Sequence, residues 1–137
     1  MTMASNDGSD DDARATLGLA LGGGAVLGFA HIGLLEALEE AGIRADFVAG
    51  TSAGAIVAGL YAFGVTPDRT RELLSPLTWR KVSGFTRTSM GLLTNEPVGE
   101  LLEDELGDAR IEDADIPLAI VAADIHTGQR VVLREGP

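Results

Sequence analysis

Two short apolar runs, each ending in glycine-rich sequence and each followed by helical periodicity, confine what this chain can fold into. They lie in residues 17–60, LGLALGGGAVLGFAHIGLLEALEEAGIRADFVAGTSAGAIVAGL. Leu17 to Leu21 is a short apolar run of the kind found in buried parallel strands. Gly22, Gly23 and Gly24 end it, and a glycine turn leaves backbone N–H groups uncovered by side chains. Ile32, Leu35 and Leu38, with Leu34 beside them, then recur at helical spacing. Glu36, Glu39 and Glu40 take the other face, and Gly42 is the stop. Asp46 to Ala49 fits the next strand. Right-handed crossovers would set the two strands side by side, with both turns at the carboxyl edge of the sheet.

The second turn reads Gly50-Thr51-Ser52-Ala53-Gly54. A G-x-S-x-G elbow places its serine on a tight strand-to-helix turn, and its neighbours must be small because the backbone nearly folds onto itself. Gly50, Ala53 and Gly54 meet that demand around Ser52. The hydroxyl would stand at the positive end of a helix beginning near Ala53, where a developing oxyanion meets free N–H groups. Nucleotide binding fits the first turn poorly. G-x-G-x-x-G fails in both registers, and Phe29-Ala30 stands where a phosphate-binding loop carries Lys-Ser/Thr. A dinucleotide site also needs an acid at the end of the second strand, and Gly50 stands there.

Downstream, Ile56, Val57, Leu60 and Tyr61 give the elbow helix an apolar stripe, and Gly64 ends it. Thr66-Pro67-Asp68 starts another helix, with Thr66 as N-cap and Pro67 at the first position. Residues 69–93 hold Arg69, Arg71, Arg80, Lys81 and Arg87 against one acid, Glu72, interleaved with Trp79, Phe85, Met90, Leu92 and Leu93. Two readings stay open there: a cap making peripheral membrane contact, aromatic groups in the interface and arginines on phosphates, or a meander whose arginines pair with an acidic surface. Asn95 to Leu106 predicts an amphipathic helix with Val98, Leu101, Leu102 and Leu106 inward, stopped by Gly107. Strands are expected near 16–21, 46–50, 117–123 and 129–134, the last two joined by a hairpin-like turn at residues 124–128. The fold class is α/β, a mainly parallel sheet with helices on both faces.

The chain has 137 residues, enough for one domain. Residues 1–15 are polar, with Asp7, Asp10, Asp11 and Asp12 crowded together, and predict a disordered acidic tail ahead of a domain over 16–137. Twenty-one acids face ten bases, a net charge of −11, and Lys81 is the single lysine. Such a surface opposes nucleic acid. It suits either a high-salt environment or an ordinary acidic cytosolic protein. With no cysteine, and with His31 and His126 unable by themselves to complete a metal site, no metal is expected. The N-terminal residues carry no basic region followed by an apolar core, so a cytoplasmic location is expected, with possible peripheral contact at the membrane.

Gly22-Gly23-Gly24 through Gly28, the following Ala30-His31-Ile32-Gly33, and Gly50-Thr51-Ser52-Ala53-Gly54 together resemble the patatin-like phospholipase family, over roughly Thr16 to the end of the chain. The resemblance implies a lipid acyl hydrolase acting on a lipid or acyl-ester substrate through a Ser–Asp dyad, with no catalytic histidine and no cofactor. Ser52 is then the nucleophile, and the amides of Gly22, Gly23, Gly24 and Ala25 form the oxyanion hole. His31 is then a packing and hydrogen-bonding residue. Two departures stand out. Leu27 occupies a position where the family often has arginine, and no Asp-Gly-Gly or Asp-Gly-Ala follows Ser52 to supply the aspartate; the sole Asp-Gly is Asp7-Gly8. The expectation is an N-terminal part of a patatin-like domain, incomplete at its C-terminus and of little activity alone. Asp124, at a strand end, is an alternative base. The other readings are an inactive relative that binds lipid or a partner, and an α/β-hydrolase pairing Ser52 with His126.

Overall fold

The computed structural model describes residues 15–24, 28–83 and 96–137, the side chains of 77–83 and of 96 excepted. Four strands, β1 (Gly18–Leu21), β2 (Phe47–Gly50), β3 (Leu118–Ala123) and β4 (Arg130–Leu133), form one sheet in chain order. The first three are parallel, with Leu19 beside Val48 and Val48 beside Leu118; β4 returns antiparallel to β3, with Val121 opposite Val132. The helices are α1 (Phe29–Glu40), α2 (Ala53–Ala62), α3 (Pro67–Ser83) and α4 (Glu96–Leu106). The α/β class and mainly parallel sheet agree with the sequence, as do all four strands to within two residues at either end.

A strand order that follows chain order has a geometric consequence. Right-handed crossovers that advance in one direction deliver their helices to the same face. The core accordingly forms one cluster: Leu21, Val48 and Leu118 from the sheet, Ile32 and Leu35 from α1, Val57, Ala58 and Leu60 from α2, and Leu74 from α3. Leu101, Leu102 and Leu106 of α4 pack against it, on the inward positions predicted for them. By strand alternation the opposite face carries Phe47, Ala49, Ala119, Val121 and Val132. Phe47 is 52% exposed and Val132 41% exposed, and among the described residues the helices gather on one side of the sheet, where the sequence predicts them on both.

The punctuation is as the sequence implies. Gly42, Gly64 and Gly107, read as helix stops, take φ of 67°, 77° and 65°. The Thr66 hydroxyl oxygen accepts the Arg69 N–H at 3.3 Å, the N-cap predicted for α3. α3, whose end the sequence leaves open, runs through Pro76 to Ser83. Pro76 cannot donate to the Glu72 carbonyl four residues earlier, and Ser75 before it turns its hydroxyl onto a different carbonyl, that of Arg71, at 2.6 Å. Of the basic segment, residues 84–93 lie outside the described residues, as does most of the predicted N-terminal tail. Arg69 and Arg71 are engaged within the domain: Arg69 with Glu105 of α4 at 2.7 Å and Glu72 at 3.3 Å, Arg71 with Glu36 of α1 and with Asp68 at 3.2 Å. For these two arginines the acidic-surface reading holds.

A 3-10 turn at Ile111–Asp113, unforeseen in the sequence, leads into β3 and receives the end of the chain. Ile111 N–H donates to the Gly136 carbonyl at 2.8 Å, and Gly136 N–H donates to the Glu112 carboxylate at 2.8 Å. Arg110 adds a 2.7 Å hydrogen bond to the same carboxylate. These donors, Arg110 foremost, hold the Glu112 carboxyl down at about 2, against an ordinary value of 4.5. A folded-state value below the unfolded one stabilises the fold above the unfolded value, and that contribution disappears as pH falls through the folded one. Glu112→Gln should therefore flatten the loss of stability between pH 4.5 and 2 in urea titrations at stepped pH. A variant curve as steep as wild type would contradict this role.

Candidate active site

Ser52 sits at φ 52°, ψ −128°, and among the described residues no other non-glycine residue has positive φ. Such a conformation costs on the order of 1–3 kcal/mol and persists only where its surroundings enforce it. A serine at the start of a helix ordinarily spends its hydroxyl capping the first turn. Here the backbone angles turn the side chain away and Ser52 makes no capping bond to α2, although its residue is exposed. Ser52 instead contributes its carbonyl, which accepts Ala55 N–H at 2.8 Å and starts the helix.

Two glycines enforce the turn. A Cβ at Gly50 would stand 2.6 Å from Ala55 Cα, and a Cβ at Gly54 would stand 2.5 Å from the Gly22 carbonyl oxygen. Both obstacles are backbone, which cannot rotate aside. Thr51 N–H also donates to the Leu21 carbonyl at 3.1 Å, so the end of β1 and the elbow after β2 are joined directly. The small residues of G-x-S-x-G are thus required by the approach of α2 to the first turn as well as by the elbow itself.

The glycine-rich loop faces the serine. A Cβ at Gly23 would lie 3.1 Å from Ser52 Cβ and 3.7 Å from Ser52 Oγ. At the far end of the loop a Cβ on Gly28 would lie 3.0 Å from Ala53 Cβ. Gly23 therefore lies beside the nucleophile candidate, and it is exposed, as are Gly22 and Gly24. Ala25 and Leu27 lie outside the described residues. His31, three residues into the helical segment, directs Nε2 to the Gly22 carbonyl at 2.8 Å. The sequence anticipated a hydrogen-bonding role for it but gave no partner.

The alternative bases are placed elsewhere in the chemistry. Asp124 follows β3, and its Oδ1 accepts N–H from His126 at 2.8 Å and Thr127 at 2.9 Å. Those bonds, Thr127 foremost, hold the Asp124 carboxyl below the ordinary carboxylate range. Asp124 thus organises the turn between β3 and β4, and His126 is one of the donors in that turn. Among the described residues no hydrogen bond joins Ser52 to Asp124 or to His126. Among the described residues no group of three or more His, Asp or Glu could hold a metal, and no helix is long and apolar enough to cross a membrane.

A mainly parallel sheet whose second strand ends in a serine elbow, braced against a glycine loop from the strand beside it, defines the class as α/β with a strand–elbow–helix unit. The family profile described as patatin-like phospholipase matches residues 19–135, and the chain belongs to that family. It is 38% identical over 130 residues to a patatin-like phospholipase domain-containing protein of Caenorhabditis elegans, covering 88% of this chain and 9% of that protein. It is 36% identical over 122 residues to an uncharacterized NTE family protein of Mycobacterium bovis, covering 87% of this chain and 34% of that one. A lysophospholipase of Candida glabrata is 39% identical over 103 residues, 71% of this chain and 6% of the relative. The chain thus spans about a third or less of the length of these relatives. Among solved structures, the heterodimeric ExoU–SpcU complex of the Pseudomonas aeruginosa type III secretion system matches with a TM-score of 0.54 at 20% identity, over 87% of this chain and 33% of that one. That likeness bears on the fold.

Gly54→Ala tests the bracing directly. Its methyl group must displace the carbonyls of Leu21 and Gly22, and overpacking of this kind costs about 1–3 kcal/mol. Urea denaturation should show that loss, whereas Gly33→Ala, whose Cβ meets nothing within 4 Å, should be neutral or stabilising. Equal stability of the two variants would contradict the close approach.

Proposed function

We propose that this chain carries the nucleophile half of a lipid acyl-ester hydrolase, of phospholipase or esterase type. The observation that supports it best is the strained Ser52 elbow with Gly23 beside it. Membership of the patatin-like phospholipase family and similarity to a protein named a lysophospholipase agree with a lipid substrate.

The chemistry follows from the groups in place. Ser52 Oγ attacks the ester carbonyl carbon while its proton passes to a carboxylate. The carbonyl oxygen becomes the oxyanion, which is assigned to the amides of Gly22, Gly23, Gly24 and Ala25; donors fixed in advance cost no reorganisation as charge develops. Collapse expels the alcohol, which takes up the proton, and water then releases the fatty acid from the acyl-serine. We assign the accepting carboxylate to an aspartate beyond these 137 residues. Asp124 is committed to its own turn, and a serine hydroxyl without a base is a poor nucleophile. The substrate would be met from the cytoplasm at a membrane surface. Peripheral membrane contact is assigned to residues 69–93, in which Arg69 and Arg71 are engaged with carboxylates.

A fluorophosphonate probe applied to the full-length protein should label Ser52, and Ser52→Ala should abolish labelling. The 137-residue chain should hydrolyse a nitrophenyl ester about 10²–10⁴-fold more slowly than the full-length protein, the usual cost of a missing general base. Labelling that survives Ser52→Ala would overturn the nucleophile. Equal rates for the two chains, lost in Asp124→Asn, would make Asp124 the base. A full-length protein that takes label but turns nothing over would point to lipid binding without hydrolysis.

A further inference from the structure

The His31–Gly22 hydrogen bond has a geometric effect beyond tying α1 to the loop. A carbonyl oxygen only accepts, so His31 must donate Nε2–H to it. The Gly22 carbonyl is held on a second side as well, since it lies where a Cβ on Gly54 would come within 2.5 Å. The peptide joining Gly22 to Gly23 is planar and trans, and in a trans unit C=O and N–H point in opposite directions. Fixing the Gly22 carbonyl toward His31 and Gly54 therefore fixes the Gly23 N–H away from them. Gly23 is exposed and is the loop residue whose Cβ position is 3.7 Å from Ser52 Oγ.

We propose that His31 is a positioning residue, which orients the Gly23 amide toward the oxyanion by anchoring the carbonyl of the same peptide unit. This rests on the reading of Ser52 as nucleophile. It also explains why a histidine near the serine need not be its base: Nε2 is occupied as a donor, and the ring acts through the loop. Glycine has no side chain to restrict its own peptide planes, so a loop of three glycines needs an external anchor to hold a donor still. His31 supplies one from the first turn of a packed helix, flanked by the buried Ile32.

The test uses the full-length protein with two substitutions. His31→Phe keeps a ring but no donor, and His31→Gln brings an amide N–H to the place of Nε2. The rate of fluorophosphonate reaction at Ser52 and the kcat for a nitrophenyl ester should fall in H31F by about 10-fold or more, short of the roughly 10²–10³ lost with an oxyanion donor itself. KM should stay unchanged, and H31Q should recover most of the loss. A packing role would predict the reverse, with H31F tolerated and H31Q impaired. An H31F protein that reacts as fast as wild type, or an H31Q no faster than H31F, overturns the proposal. Should a variant fail to fold, nitrogen-15 NMR of wild-type His31 decides: a proton on Nε2 supports the anchor, and a neutral ring protonated only at Nδ1 overturns it. Wild-type protein that takes no label at Ser52 overturns the nucleophile reading, and this one with it; a labelled wild type with an indifferent H31F overturns the anchor alone.

Discussion

The structure depends on a contact between two stretches of backbone. The start of α2, at Gly54, lies against the carbonyls of Leu21 and Gly22 so closely that no side chain fits between them. That approach joins the end of β1 to the elbow after β2, and it sets the glycine loop beside Ser52. The strain at Ser52 is sustained by the same packing, because α2 is anchored by Val57, Ala58 and Leu60 in the core. Tyr61 on the same helix adds to the frame: its hydroxyl oxygen accepts Ala45 N–H at 3.0 Å and fixes the approach to β2. Burial of apolar side chains thus holds a serine in a conformation that its own backbone disfavours.

The remaining elements serve that arrangement from one side. Strand order that follows chain order gathers the helices over a single face, where α1, α3 and α4 pack as one cluster with α2. The ion pairs of Arg69 with Glu105 and Arg71 with Glu36 tie α3 to α4 and α1 at the exposed rim. Exposed pairs of this kind contribute little stability individually, so their value lies in fixing which helix lies beside which. The other sheet face keeps Phe47 and Val132 in contact with solvent, and an apolar sheet face is ordinarily covered.

Much of this was legible in the sequence, for identifiable reasons. Short apolar runs bounded by glycine gave β1 and β2, and the glycines after α1, α2 and α4 marked stops that do take positive φ. The elbow was legible because Gly50 and Gly54 are needed where they stand. The length of α3 was hidden, since Pro76 reads locally as a helix breaker. Asp124 was ambiguous for a similar reason. A carboxylate at a strand end suits a catalytic acid and a turn-closing residue alike, and its bonds to His126 and Thr127 are visible only in three dimensions. The partner of His31 lies nine residues back across a glycine loop, a distance that no periodicity reveals.

The central claim is that Ser52 and the Gly23 amide are held ready on opposite sides of one reacting carbonyl. A crystal structure of the full-length protein after reaction with a fluorophosphonate tests it most directly, because the phosphonyl oxygen occupies the place of the oxyanion. The account predicts phosphorus bonded to Ser52 Oγ, a positive φ at Ser52, and the phosphonyl oxygen about 2.7–3.1 Å from the Gly23 amide nitrogen. A phosphonyl oxygen turned to solvent, with the Gly23 N–H pointing elsewhere, would contradict it.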